Sequence, residues 1–423
     1  MDESFLHFVW KFHKFNTIDL QTNEGETISI FDSGQHNHDA GPDFQNARLK
    51  LSDLQWNGHV EIHIKSSDWR HHNHGKDPNY DNVILHVVWE NDEPTLRNDQ
   101  THIPTLELKH RVNPNLVTNY KTFLAGQHDI LCKHHLPTIP RLVWIGQLDR
   151  MLAKRLEQKA ERIIKIAEAT NNDWEETAYR VLARTFGFSL NSEVFERLSE
   201  TLPQRILSKH AGQPKQVEAL LFGQAGFLDE VKGEYGLELQ QEYHFLQAKY
   251  ELTGHLHRTH WTFGKMRPSN FPTVRLAQFA AILNSNTALF SFLKDEASTE
   301  KIKKHLSGPV SDYWQTHYDF DKELKKGNNQ TGAASMDIIM INAVSPLIAA
   351  YALHTDQLEL MDNATSILEQ IRPERNRYTL KWNEAGKVAK SAFDSQAMIT
   401  LFKDYCSRKK CLNCTIGTSL FSK

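Results

Sequence analysis

The sequence is poor in everything that would assign it quickly. Its most apolar run, Ile338 to Leu353, is interrupted by Asn342, Ser345 and Pro346. It is also shorter than the roughly 20 residues a spanning helix needs, so a buried helix is expected there and no membrane partner. The opening MDESFLHFVWKFHKF lacks the basic-then-apolar plan of a signal peptide, which points to the cytoplasm. Lys and Arg total 49 against 52 Asp and Glu, a formal charge of −3. No global field therefore recruits a polyanion, and any contact with nucleic acid has to come from local patches. Four cysteines in 423 residues do not make a disulfide scaffold. No HExxH is present, which removes the zinc-protease pattern. Gly223-Gln224-Ala225-Gly226 is too short for a phosphate loop and reads as a helix-terminating turn.

What is there begins as an α+β pattern. Asp2 to His13 reads as a short amphipathic helix capped by Asp2 or Ser4, with Glu3 in its first turn. Two alternating runs flank Asn23-Glu24-Gly25-Glu26 as a hairpin. A polar loop from Gly34 to Gly41 carries His36, His38 and Asp39. Strands are expected at Phe44 to Leu51, Asn57 to Lys65, Val83 to Trp89 and Pro104 to Leu108. Asp68 to Asp81 is a loop or short helix. These elements predict a mixed α/β sheet domain over residues 1–115. A proline-punctuated linker follows over 116–140, then a large all-α domain over 141–423. Helical spacing recurs at Val143 to Thr170, Trp174 to Thr185, Ser192 to Leu202, Gln213 to Leu221, Glu238 to Leu252, Val274 to Leu293, Ser298 to Leu306, Met336 to Leu353, Asp356 to Gln370 and Ala392 to Tyr405.

Groups able to bind a metal or move a proton concentrate between Gly41 and Val88. In VEIHIK, alternation puts Val60, Ile62 and Ile64 on one face and Glu61, His63 and Lys65 on the other. Asp43 precedes the neighbouring strand and can lie beside Glu61 across the ladder. Two carboxylates at close quarters repel unless a cation sits between them, and Mg²⁺ or Mn²⁺ suits such a pair. His63 or Lys65 can then activate water, while Glu3 by itself reads as compensating the helix dipole. The bland alternative is a solvated ion pair of Glu61 with Lys65. The following loop offers His71, His72, His74 and Tyr80 as contacts to phosphate or to the scissile oxygen. His71 and His74 with His63 or His86 would instead make a three-ligand zinc site. Trp69 either anchors the loop or stacks on a base.

YCSRKKCLNC gives Cys406-x₄-Cys411-x₂-Cys414, a spacing suited to Zn²⁺ or an iron–sulfur cluster. Cys132 would complete a four-thiolate clasp between the end of the sheet domain and the C-terminal segment. His134 or His135 could replace it in a zinc site. Basic residues gather from Arg372 to Lys423. A second basic stretch, HLHRTHWTFGKMRPSNFPTVR, interleaves Arg258, Lys265, Arg267 and Arg275 with Trp261, Phe263 and Phe271. Such a stretch either binds single strands or docks its aromatics between helices.

Pro42-Asp43 and Glu61-Ile62-His63 resemble the PD-(D/E)XK nuclease superfamily over about the first 90 residues. That resemblance implies a metal held by Asp43 and Glu61, help from Glu3, and cleavage of DNA or RNA. The family's lysine position is His63 here, with Lys65 one step further along the same face. Some helicase-associated members bind a 4Fe–4S cluster with one cysteine before and three after the nuclease core, an arrangement similar to Cys132 with Cys406, Cys411 and Cys414. GPDFQNA, GHVEIH, SDW, YDNVILHVV, ALLFGQAGFL, RPSNFP and YCSRKKCLNC together resemble an uncharacterised bacterial family, domain of unknown function 2851, over nearly the whole chain. That second resemblance implies no activity. A metal-dependent nuclease is thus the leading expectation. A non-catalytic nucleic-acid or protein-binding scaffold and a zinc hydrolase are its rivals.

Overall fold

Asp2 starts the fold by accepting the Phe5 amide at 3.0 Å, capping helix α1 (Glu3–Lys11). The computed structural model describes residues 2–37, 39–325 and 328–421, so His38 and Lys423 lie outside it. Phe5, Leu6, Phe8, Val9 and Trp10 are buried, and Trp10 Nε1 donates to Ser33 O at 3.0 Å.

Strands β1 (Ile28–Asp32), β2 (Gln35–His36), β3 (Phe44–Leu51), β4 (Leu54–Lys65), β5 (Val83–Glu90) and β6 (Thr105–Glu107) form one mixed sheet. Its order is β1-β3-β4-β5-β6, with β2 beside β3. β1 and β4 flank β3 antiparallel, while β4, β5 and β6 run parallel. The expected strand at Phe44 to Leu51 is found as such, and the others differ only at their ends. Of the expected hairpin around Asn23, the first run forms a single Gln21–Thr27 bridge rather than a strand.

A parallel β4–β5 pair needs a crossover, and residues 66–82 supply it. They hold the one-turn helix α2 (Asp68–His71) and two 3₁₀ turns, His74–Lys76 and Pro78–Tyr80. Glycine is required where β5 enters beside β4: a Cβ on Gly58 would meet Ile84 Cγ2 at 2.4 Å and Asn82 O at 2.6 Å. Val60, Ile62, Leu85 and Val87 pack with α1 in the main core. The crossover covers the other face, where Trp69, Tyr80, Val83 and Ile103 make a satellite core. Trp69 is an anchor: it is buried and its Nε1 donates to Leu96 O at 3.0 Å.

The chain divides into two units. One comprises Met1–Asp149, Leu380–Val388 and Ile399–Lys423, and the other Arg150–Thr379 and Ala389–Met398. The expected linker at 116–140 is largely structured inside the first unit, as α3 (Pro114–Leu124) and a 3₁₀ turn, Lys133–Thr138. The C-terminal residues return to that unit, where Leu412 and Phe421 join the sheet's own core.

Helices dominate the second unit, as its spacing predicts, but it also holds a two-stranded antiparallel sheet, His317–Asp319 with Lys322–Glu323, that the all-α expectation did not include. Val274 to Leu293 is not one helix, however, but Pro272–Ser285 and Leu289–Asp295, bent by 79°. Asn286 makes the break; its side chain donates to Ile282 O and His305 O. Ala333–Thr355 is, among the described residues, the one helix long and apolar enough to cross a membrane, and 72% of its apolar window is buried in the protein. A π-helical turn, Met340–Val344, precedes Pro346 and accommodates it. The basic-aromatic stretch is docked: Trp261 is buried, and Arg258 stacks on Phe227 and Phe263 while pairing with Asp319.

Candidate functional site

Glu61 and His63 on β4 and His86 on β5 point to the face that the crossover covers. Parallel register sets Glu61 beside His86. Where the chain enters β3, Asp43 and Glu61 of β4 interlock. The Asp43 amide donates to Glu61 Oε2 at 3.1 Å, and the Ile62 amide donates to Asp43 Oδ2 at 3.0 Å. Glu61 Oε1 lies 3.3 Å from His74 Nε2 and 3.6 Å from His63 Nε2. His63, His72 and His74 each present a ring nitrogen within 4.8 Å of the other two. His7 on α1 brings Nε2 to 3.2 Å from Asp43 Oδ2, close but not aligned as a hydrogen bond.

Burial sets the electrostatics. Glu61 is 5% exposed, and desolvation, with Asp43 as the next cause, holds its carboxyl well above the usual carboxylate range. Glu3 is raised by burial and by Asp43, and lowered less by His7 and His72. Asp43 thus raises both Glu3 and Glu61, the mutual repulsion of neighbouring carboxylates that a cation relieves. Burial lowers His63 to about 3 and lowers His74 and His86 as well. These imidazoles are therefore neutral, the form that ligates metals. Tyr80 stacks on His74 with ring centroids 3.9 Å apart, and burial followed by Glu61 pushes its hydroxyl up to about 12.

His63 is braced from behind. Its Nδ1 is 2.8 Å from His86 Nε2, and His86 Nδ1 is 2.8 Å from Thr95 Oγ1. When Thr95 accepts from His86 and His86 accepts from His63, the lone pair of His63 falls on Nε2, facing Glu61 and His72. His63 Nε2 is 3.1 Å from His72 Nδ1. The crossover is pinned by Asp92, which accepts from the Ser67 amide and hydroxyl, both at 2.9 Å, and by Arg70 paired with Glu93. The cluster opens to solvent at Asp43, 23% exposed, and at exposed His72.

The fold therefore brings together Glu3, Asp43, Glu61, His63, His72, His74 and Tyr80. It does not bring in Lys65, which ends β4 with Nζ 3.6 Å from Asp92. His71 is exposed beside Asp68, 3.6 Å away, and the imidazole that joins His63 and His74 is that of His72. His7 and Thr95 were not legible as site residues. His7 carries a signal, because it lies four residues after Glu3 on one helical face. Thr95 carries none. The four cysteines meet elsewhere in the same unit. Burial raises Cys132 and Cys411 to about 12, and Cys132 is raised further by Cys414 and Cys411.

Fold and site together define an α+β protein with a buried carboxylate–histidine cluster whose donors suit a divalent metal. The chain belongs to the family described as Protein of unknown function (DUF2851), whose model matches residues 3–377. No curated protein and no solved structure matches it.

Proposed function

We propose that the protein is a divalent-metal-dependent hydrolase of phosphodiester bonds, with nucleic acid as its substrate class. The observation that carries this reading is the approach of Glu61 to both His63 and His74 directly beside Asp43. A mixed carboxylate and imidazole set suits Mn²⁺ or Zn²⁺ better than Mg²⁺. Such a cation, when bound, polarises the phosphate and lowers the pKa of water. Asp43, Glu61, His63 and His74 would hold it, and Glu3 would add negative charge at the rim. His72, at the open side, takes the proton from the attacking water as its oxygen bonds to phosphorus and the bond to the leaving oxygen breaks. The Tyr80 hydroxyl, kept protonated, hydrogen-bonds that leaving oxygen, which then takes its proton from solvent. The choice of nucleic acid among phosphodiesters rests on the resemblance of Pro42-Asp43 and Glu61-Ile62-His63 to PD-(D/E)XK nucleases. His63, braced through Nδ1 by His86 and offering its Nε2 lone pair to the cation, is no longer free to take a proton, so the acceptor is His72.

A second reading rests on the mutual closeness of His63, His72 and His74, which together could hold Zn²⁺ with Glu61 as the base. One experiment tests both. Chelator-stripped protein is given Mn²⁺, Zn²⁺ or Mg²⁺ and assayed on bis(p-nitrophenyl) phosphate and on single- and double-stranded DNA and RNA. The proposal expects hydrolysis that disappears in Glu61→Gln. His72→Ala losing rate but not metal affinity supports the first reading, and loss of affinity supports the second. Nucleic-acid binding without metal-dependent cleavage would overturn both in favour of a scaffold.

A further inference from the structure

The four cysteines are all that the chain contains. Three lie on consecutive one-turn 3₁₀ elements, Cys406–Arg408 and Cys411–Asn413, with Cys414 closing the second. Two tight turns shape them. Lys409 takes φ 53°, and its amide donates to Cys406 O at 3.0 Å; the Cys414 amide donates to Cys411 O at 3.2 Å. Helix Thr415–Phe421 then starts against the second turn so closely that a Cβ on Gly417 would meet Cys411 O at 2.0 Å. Only glycine permits that approach. Cys132, far away in sequence, immediately precedes the 3₁₀ turn Lys133–Thr138.

Lys409 Nζ donates to Leu124 O at 3.0 Å, which holds the cysteine turns against the segment that leads to Cys132, and each thiol lies within electrostatic reach of the others. Cys406 feels Cys132, Cys414 and Cys411; Cys132 feels Cys414 and Cys411; Cys411 feels Cys414. None is in a disulfide, Cys414 is buried, and the other three are half-buried. Packing alone does not ask for this. Cysteines used as small apolar residues need no company of their own kind, and the adjoining core is already filled by Leu412, Phe421, Tyr120 and Phe5.

We propose that Cys132, Cys406, Cys411 and Cys414 form a four-thiolate site for one thiophilic metal centre, a Zn²⁺ ion or an iron–sulfur cluster. The site fastens the C-terminal segment to the sheet unit. Zn²⁺ and iron–sulfur clusters share this donor chemistry. On binding, four S–H groups lose their protons to solvent and four metal–sulfur bonds form. Four protein ligands leave no open position, so the role is structural. The binding free energy becomes folding free energy for residues whose apolar side chains complete the sheet's core. The site is independent of the carboxylate–histidine cluster and stands or falls apart from it. It also lies outside the 3–377 region of the family match, except for Cys132.

The test uses the full chain purified without oxygen. Elemental and sulfide analysis is expected to give about one Zn per chain, or about four Fe with four sulfides and visible absorption. Either result supports the site and names the centre. Titration with a mercurial in the presence of a chromophoric chelator should release that metal in step with modification of four thiols. Cys132→Ser and Cys411→Ser should each lose the metal, whereas His63→Ala should retain it, separating this site from the other cluster. Should the serine variants fail to fold, the mercurial titration of the wild type still decides. Four thiols that react without releasing metal, or disulfides in the anaerobic protein, would overturn the proposal.

Discussion

Replacing Glu61 by glutamine should make the metal-free protein more stable. Glu61 is 5% exposed, and burial with Asp43 and Glu3 nearby holds its carboxyl far above the range of an unfolded chain. The sign follows from the linkage. A raised carboxyl pKa costs nothing below the unfolded value near 4.5. It costs progressively more as pH rises toward the folded value. At pH 7 we take that cost as about 1–3 kcal/mol. The glutamine amide would keep an oxygen for the Asp43 amide and place an NH₂ where Glu61 Oε1 now faces His74 at 3.3 Å. Thermal unfolding of chelator-treated protein should therefore show Glu61→Gln above wild type by about 2–4 °C per kcal/mol at pH 7, with the gap closing toward pH 4. Adding Mn²⁺ or Zn²⁺ at about 100 times Kd should raise the wild type by about 2.7 kcal/mol and the variant far less, reversing the order. A metal-free variant less stable than wild type would refute the reasoning, because it would mean that the folded protein already compensates an ionised Glu61. Equal metal stabilisation of both proteins would remove Glu61 from the ligand set.

Further outcomes follow from the shell around the cluster. Thr95→Val leaves His86 Nδ1 buried without its partner. It should cost about 1–3 kcal/mol in urea unfolding and lower metal affinity about 10–100-fold by calorimetry. Asp92 is held at about 2 because hydrogen bonds from Ser67 and Ser66 outweigh its desolvation. Its stabilisation is present above the unfolded value of 3.8 and fades as pH falls through 2. With solvent screening of this partly exposed group allowed for, Asp92→Asn should cost about 1 kcal/mol at pH 6 and little at pH 2. Trp69→Ala empties the satellite core and should cost about 3–5 kcal/mol. By loosening the segment that carries His72 and His74, it should also lower metal affinity.

Much of the sheet unit was legible because its signals are local. The Asp2 cap, the apolar period of α1 and the alternation of β4 each depend on a few neighbouring residues, and these placed Asp43, Glu61 and His63. Other features depend on long-range geometry. Lys65 shares the alternation of Glu61 and His63, yet it ends its strand where Asp92 is within reach. Adjacent His71 and His72 are indistinguishable by composition. Which one faces His63 and His74 depends on a one-turn helix ending at His71 and on left-handed Asn73, φ 60°. The sheet's core also draws on Leu412 and Phe421, nearly 300 residues beyond the end of α3, and no periodicity reports such a return.

The central claim is that one divalent cation sits among Asp43, Glu61, His63 and His74. Anomalous scattering from a crystal soaked in Mn²⁺ measures this directly. The account predicts one strong peak at coordination distance from Glu61 Oε1, His63 Nε2 and His74 Nε2, lost in Glu61→Gln. A wild-type map without density at that point, under conditions where the protein binds Mn²⁺ in solution, would contradict it.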